Sequence, residues 1–154
     1  LAACVLALSS AAAFAVDDRG ICSANPPKSE TVISCTRVIA SPATSTHDRA
    51  LALTFRANAI HKGGDTVRAV NDYSEALTLL PGFGPALIGR GIAYRDANDV
   101  THALADFDQA IKVNPKDARA LYERGVTKRK NGDAAGGDAD VAAAKAINPN
   151  IDKL

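Results

Sequence analysis

Three arginines and three aspartates recur in step along this chain. Arg56, Arg90 and Arg124 are spaced by 34 residues, and Asp72, Asp106 and Asp140 each follow their arginine by 16. A guanidinium presents its donors in a planar fork that matches a carboxylate. Two series at a constant offset therefore predict Arg–carboxylate bridges between neighbouring helices, bidentate where geometry allows. An arginine ladder for an anionic ligand is a second reading, and solvated charges without partners a third.

The remaining reactive side chains form no constellation. His47, His61 and His102 are scattered, with no partner at three or four residues to make a metal pair, and read as surface histidines. No serine stands in a nucleophile-elbow motif. Gly63-Gly64 and Gly136-Gly137 lack the Lys-Ser/Thr that completes a phosphate loop. Asp138 and Asp140 are two apart, so on a helix they do not face each other. The residues predict no catalysis, no cofactor and no metal.

These side chains sit in a chain of 154 residues, suited to one domain with a modest core. Apolar residues make up 47%, much of it alanine, and aromatics only 5%. That composition favours closely packed helices over a sheet, where β-branched and aromatic residues are enriched. Eighteen basic and 17 acidic residues leave a net charge of +1. Such a balance gives no electrostatic case for nucleic acid or an anionic membrane.

Residues 1–15, LAACVLALSSAAAFA, carry no charge and are too short to span a bilayer comfortably. They end in Ala13-Phe14-Ala15, the small-x-small pattern of a signal-peptidase site. We read them as the remnant of a secretory signal, which predicts export. Retention as an apolar N-terminal helix is the bland alternative. Lipid anchoring at Cys4 fits less well, because ten small or apolar residues follow that cysteine. Cleavage would leave Cys22 and Cys35, an even pair that in an exported small domain usually bonds. Such a bond would stabilise the fold by roughly 3 kcal/mol in the chain-entropy account. Two buried free thiols are the alternative.

The 34-residue spacing extends beyond the charges. Residues 50–83, 84–117 and 118–151 align without gaps. The eighth place of each unit holds Ala57, Gly91 and Gly125; the twentieth, Ala69, Ala103 and Gly137; the twenty-seventh, Ala76, Ala110 and Ala144. Small residues there let helices approach closely. Leu53, Leu87 and Leu121 at the fourth place, and Tyr73, Phe107 and Val141 at the twenty-fourth, are the matching bulk. Gly64-Asp65, Asn98-Asp99 and Gly132-Asp133 read as turns, the first residue for a left-handed helix end and Asp for the next N-terminus. Pro81, Pro115 and Pro149 close the units.

This pattern resembles the tetratricopeptide repeat (TPR). The resemblance covers about two-thirds of the chain and implies an all-α fold, a right-handed superhelical stack of antiparallel helix pairs. Residues 49–154 are then a three-repeat domain. Residues 16–48 are a leader and a capping half-unit, whose helix over 30–40 is similar to a lone second helix of the repeat. A Cys22–Cys35 bond would pin the leader to it, as in small exported bacterial repeat proteins, which adds weight to a periplasmic location. Lys128 departs from the pattern: it stands at the eleventh place, where Ile60 and Tyr94 precede it. With Gly137 and the alanines at 142–144, it predicts a thin core and the least stable unit.

The resemblance also implies a concave binding face. Its places fall here on Leu51, Thr54, Asn58, His61 and Lys62; on Pro85, Ile88, Ile92, Arg95 and Asp96; and on Arg119, Tyr122, Val126, Arg129 and Lys130. The expected centre is apolar (Ile88, Ile92, Tyr122, Val126), with a basic rim (Lys62, Arg95, Arg129, Lys130). Such a groove suits an extended or helical segment with acidic and aliphatic side chains. At the places by which some members clamp the carboxylates of chaperone tails, this chain has Thr54, Asn58, Gly89, Arg119 and Glu123. Only Asn58 and Arg119 fit, so that specificity is not expected. The expected function is a protein-binding module; the alternative is an assembly subunit, possible as a homo-oligomer through an uncapped third unit.

Overall fold

The computed structural model describes residues 28–153 together with Asp18, Gly20 and Cys22. The expected signal segment 1–15, with Cys4, lies outside the described residues. Seven α-helices and no strand occur among them: α1 (Lys28–Ala40), α2 (Thr46–Lys62), α3 (Thr66–Leu79), α4 (Gly84–Asp96), α5 (Val100–Val113), α6 (Ala118–Lys130) and α7 (Ala134–Ile147), followed by a 3-10 turn at Ile151–Lys153. None is long and apolar enough to cross a membrane.

Each turn within a unit is built alike. Gly64, Asn98 and Gly132 take φ of 94°, 63° and 92°, the left-handed region that glycine and asparagine tolerate best. One residue later Asp65, Asp99 and Asp133 cap the second helix, accepting from the backbone N–H of Arg68, His102 and Gly136. The second helices then stop at Leu79, Val113 and Ile147, two residues before a proline.

Consecutive helices pack as antiparallel pairs, and the pairs stack. The first helices α2, α4 and α6 also touch one another across units, whereas the second helices α1, α3, α5 and α7 form no comparable contacts among themselves. The stack therefore closes up on the side of the first helices, which line its inner face.

Bulk and small residues interlock along the core. Tyr73 and Phe107 are 1% and 0% exposed. A Cβ on Gly89 would stand 2.5 Å from Tyr73 Cε1, and one on Gly91 2.6 Å from Phe107 Cε1, so each ring occupies the space its glycine leaves. In the third unit, with the smaller Val141, the helices themselves close in: a Cβ on Gly125 would lie 2.8 Å from the Gly137 carbonyl oxygen. Gly137 thus exchanges side-chain bulk for a close crossing of α6 and α7. Lys128 is not a defect in this packing either, since its amino group lies 2.9 Å from Asp140.

The two ends differ from the expectation in detail. The capping helix begins at Lys28, two residues earlier than the sequence suggested. Cys22 and Cys35, 4% and 0% exposed, bring their sulfurs within 2.13 Å, and Asp18 reaches Arg37 at 3.3 Å. At the other end Ile151, 4% exposed, covers Leu121 and Ala144. A single turn thus does part of the work of a last capping helix.

Candidate functional site

The arginine–aspartate series forms the seams of the stack. Arg56 donates from Nε and Nη2 to Asp72 at 2.7 and 2.8 Å, Arg90 to Asp106 at 2.8 Å twice, and Arg124 to Asp140 at 2.7 and 2.6 Å. The remaining nitrogen, Nη1, reaches back to the preceding second helix: to Thr36 from Arg56, to Ser74 from Arg90 and to Asp108 from Arg124. The carboxylate hydrogen bonds raise the pKa of all three guanidinium groups above the ordinary arginine value. Burial opposes ionisation of Asp140, but hydrogen bonds from Arg124 and Lys128 hold it below the ordinary aspartate value. These arginines are therefore committed to structure, as the bridge reading predicted.

The inner face is lined by α2, α4 and α6. Asn58 is anchored there: the Tyr73 hydroxyl passes beneath Gly89 and donates to Asn58 Oδ1 at 2.6 Å. Burial raises the Tyr73 pKa well above the usual phenol range, so the hydroxyl stays a donor. No sequence pattern announced this contact, though glycine at the sixth place of one unit alone was its trace. Ile88, placed in the groove by the sequence, is 4% exposed and belongs to the core. Ile92, Tyr122 and Val126 are half-buried and supply the apolar surface that remains.

Much of the basic rim is already paired. Arg95 donates to Glu123 on α6 and to Asp96 beside it; burial works most strongly against its charge, but the hydrogen bonds and charges of Glu123 and Asp96 together outweigh this and raise its pKa. His61 lies 3.4 Å from Asp96. Arg129 is held by Asp138. Lys62 and Lys130 are exposed at the helix ends. The exposed Arg119 has no carboxylate partner among the described residues.

Arg119 opens onto a pocket of about 360 Å³, lined by Arg119, Tyr122 and Glu123 of α6 and by Ile151 and Asp152 of the 3-10 turn. Three of its lining residues, Glu123, Ile151 and Asp152, were absent from the sequence-derived groove. Glu123 is bound to Arg95, and Asp152 to Lys145 at 2.7 Å, which lowers the Asp152 pKa. The open charge of the pocket is thus the single guanidinium. No group of three His, Cys, Asp or Glu among the described residues is placed to hold a metal.

A TPR-repeat family model matches residues 91–132. Solved structures extend the likeness. The first TPR of Spaghetti (RPAP3), bound to the HSP90 peptide SRMEEVD, superposes with a TM-score of 0.65 at 21% identity, over 68% of this chain and 82% of that one. The fold is that of the tetratricopeptide repeat. The Arabidopsis OM64 TPR domain matches with a TM-score of 0.64 at 23% identity, covering 68% of this chain and 87% of its own. The MamA protein matches with a TM-score of 0.70 at 16% identity, over 92% of this chain and 74% of the other. No curated protein sequence matches the chain. The inner groove is where this fold leaves apolar side chains half-buried and Arg119 exposed.

Proposed function

We propose that this TPR domain binds a protein or peptide segment along its inner groove and carries out no reaction. The observation that carries the reading is Arg119: an exposed guanidinium, without a carboxylate partner among the described residues, at the mouth of a pocket walled by Tyr122 and Ile151. A segment pairing an acidic group with an aliphatic or aromatic side chain suits this surface. Asn58, Ile92, Val126 and Lys130 would extend it along the groove, and Lys62 and His61 at its far rim. The peptide seen on the Spaghetti (RPAP3) repeat, SRMEEVD, lends support by analogy only, since two of the places that clamp such tails are Gly89 and Glu123 here.

The test is a crosslinking pull-down with residues 16–154, beside an Arg119→Glu, Tyr122→Ala variant. Arg95 and Arg129 are poor targets, because each is part of an internal pair. A partner captured by the parent and lost from the variant supports the groove. A partner retained by both removes it.

The alternative is an assembly subunit. Ala135, Ala139, Ala142, Ala143 and Ala146 leave the outer face of α7 small and exposed, and Ile147 is 45% exposed. Concentration-dependent size in light scattering would favour it; a strict monomer at high concentration would not. We further propose that the protein is exported, to a bacterial periplasm, with a Cys22–Cys35 disulfide formed there. Mass spectrometry of the native N-terminus separates cleavage after Ala15 from lipidation at Cys4.

A further inference from the structure

The inner groove is not the only opening. A second, of about 450 Å³, lies on the opposite side of the stack, between the second helices α1 and α3. Val32 and Ile33 of α1, Ala59 and Ile60 of α2 line it, with Ser29, Asp65 and Arg68 at its edge. Among its lining residues Ile33 is a large hydrophobic side chain left 53% exposed.

The repeat shows why the groove is open and what would fill it. Thr36 serves Arg56 as Ser74 serves Arg90, which fixes α1 against α3 in the register of the repeat. In that register Val32 corresponds to Val70, Ile60 to Tyr94, Arg56 to Arg90 and Arg68 to His102. One unit later, then, the floor of the same groove is an aromatic residue. The Tyr94 ring lies 5.1 Å from the His102 ring and 5.9 Å from Arg90 Cζ, packed against the core. In the first unit the smaller Ile60 leaves that volume open, and Arg68, exposed and 3.7 Å from Asp65, stands at its edge.

We propose that the groove between α1 and α3 is a docking site for an aromatic side chain of a protein partner. The ring would take the place that Tyr94 takes one unit along. It would lie over Ile60 and Val32, beside Ile33, with the guanidinium group of Arg68 at its edge. Electron-rich rings are favoured by such a cation, so tyrosine or tryptophan fits better than an aliphatic side chain of similar bulk. This surface is independent of the inner groove and would allow two segments to be held at once.

The experiment is methyl NMR on the full chain, titrated with N-acetyl-tyrosine methylamide and, separately, N-acetyl-leucine methylamide. Expected are shifts at the methyls of Val32, Ile33 and Ile60, with the tyrosine probe about two- to fivefold tighter than the leucine probe. Ile60→Tyr supplies the ring internally and should abolish these shifts while leaving signals of Val126 and Ile92 in place. Ile33→Asn, at an exposed margin, should weaken the response without touching the core if the first variant does not fold. Equal or stronger binding of the leucine probe overturns the proposal. So do shifts that survive both substitutions, or cross-peaks showing the groove filled by residues 1–17 of the same chain.

Discussion

Arg90 grips the Asp106 carboxylate with two nitrogens at 2.8 Å each, and the pair is the hinge-pin between α4 and α5. Asp106 is 6% exposed, so its removal leaves a half-buried guanidinium without its main acceptor. Asp106→Ala should cost about 1.5–3 kcal/mol in urea unfolding. Arg90→Lys should recover little, since an ammonium cannot reproduce the two-pronged contact. Wild-type stability in both variants would show that the seam holds by packing alone.

The passage of Tyr73 beneath Gly89 makes a steric prediction. A methyl group at Gly89 would stand 2.5 Å from the ring, so Gly89→Ala should destabilise by about 1–3 kcal/mol. Combining it with Tyr73→Leu should give less than the sum of the two single effects, because the second change vacates the space. Strict additivity in a thermal double-mutant cycle would contradict the contact.

Acid should loosen the third unit. The pKa values of Asp140 and Asp152 are both lowered in the folded chain. A carboxylate depressed by folding contributes stability above its unfolded pKa, and that contribution is lost as pH falls through the folded one. Unfolding followed by hydrogen exchange should therefore show α7 losing protection below about pH 4. In Asp140→Asn the loss should already be present at neutral pH and change less with acid.

Reduction tests the leader. Cys22 and Cys35 are 13 residues apart, and opening the proposed bond between them should lower stability by roughly 3 kcal/mol in the chain-entropy account. Cys35→Ala should match the reduced protein in denaturant midpoint. An unchanged midpoint on reduction would mean that the thiols are free in the native protein.

Much of this architecture was legible because a 34-residue period repeats its reasons. Gly64, Asn98 and Gly132 announced the turns, and the arginine and aspartate series announced the seams. What stayed hidden depends on side chains that differ from unit to unit. Thr36, Ser74 and Asp108 share no residue type, so their common role as acceptors appears only in space. The basic rim looked open in sequence because Glu123 and Asp138 neutralise Arg95 and Arg129 from other helices or another turn. Lys128 looked like a fault in the core, because nothing in a linear reading places Asp140 within its reach.

The backward reach of each Nη1 also gives the units an order. In register, the position that receives it is Thr36, then Ser74, then Asp108, and in the third unit Ala142, which has no acceptor side chain. The repeats are therefore not interchangeable bricks. Transposing the second and third units would set Arg90 against a methyl group and leave Asp108 unclaimed. The sequence of donors and receivers thus works like a keyed thread, in which a unit seats only on the neighbour cut to accept it.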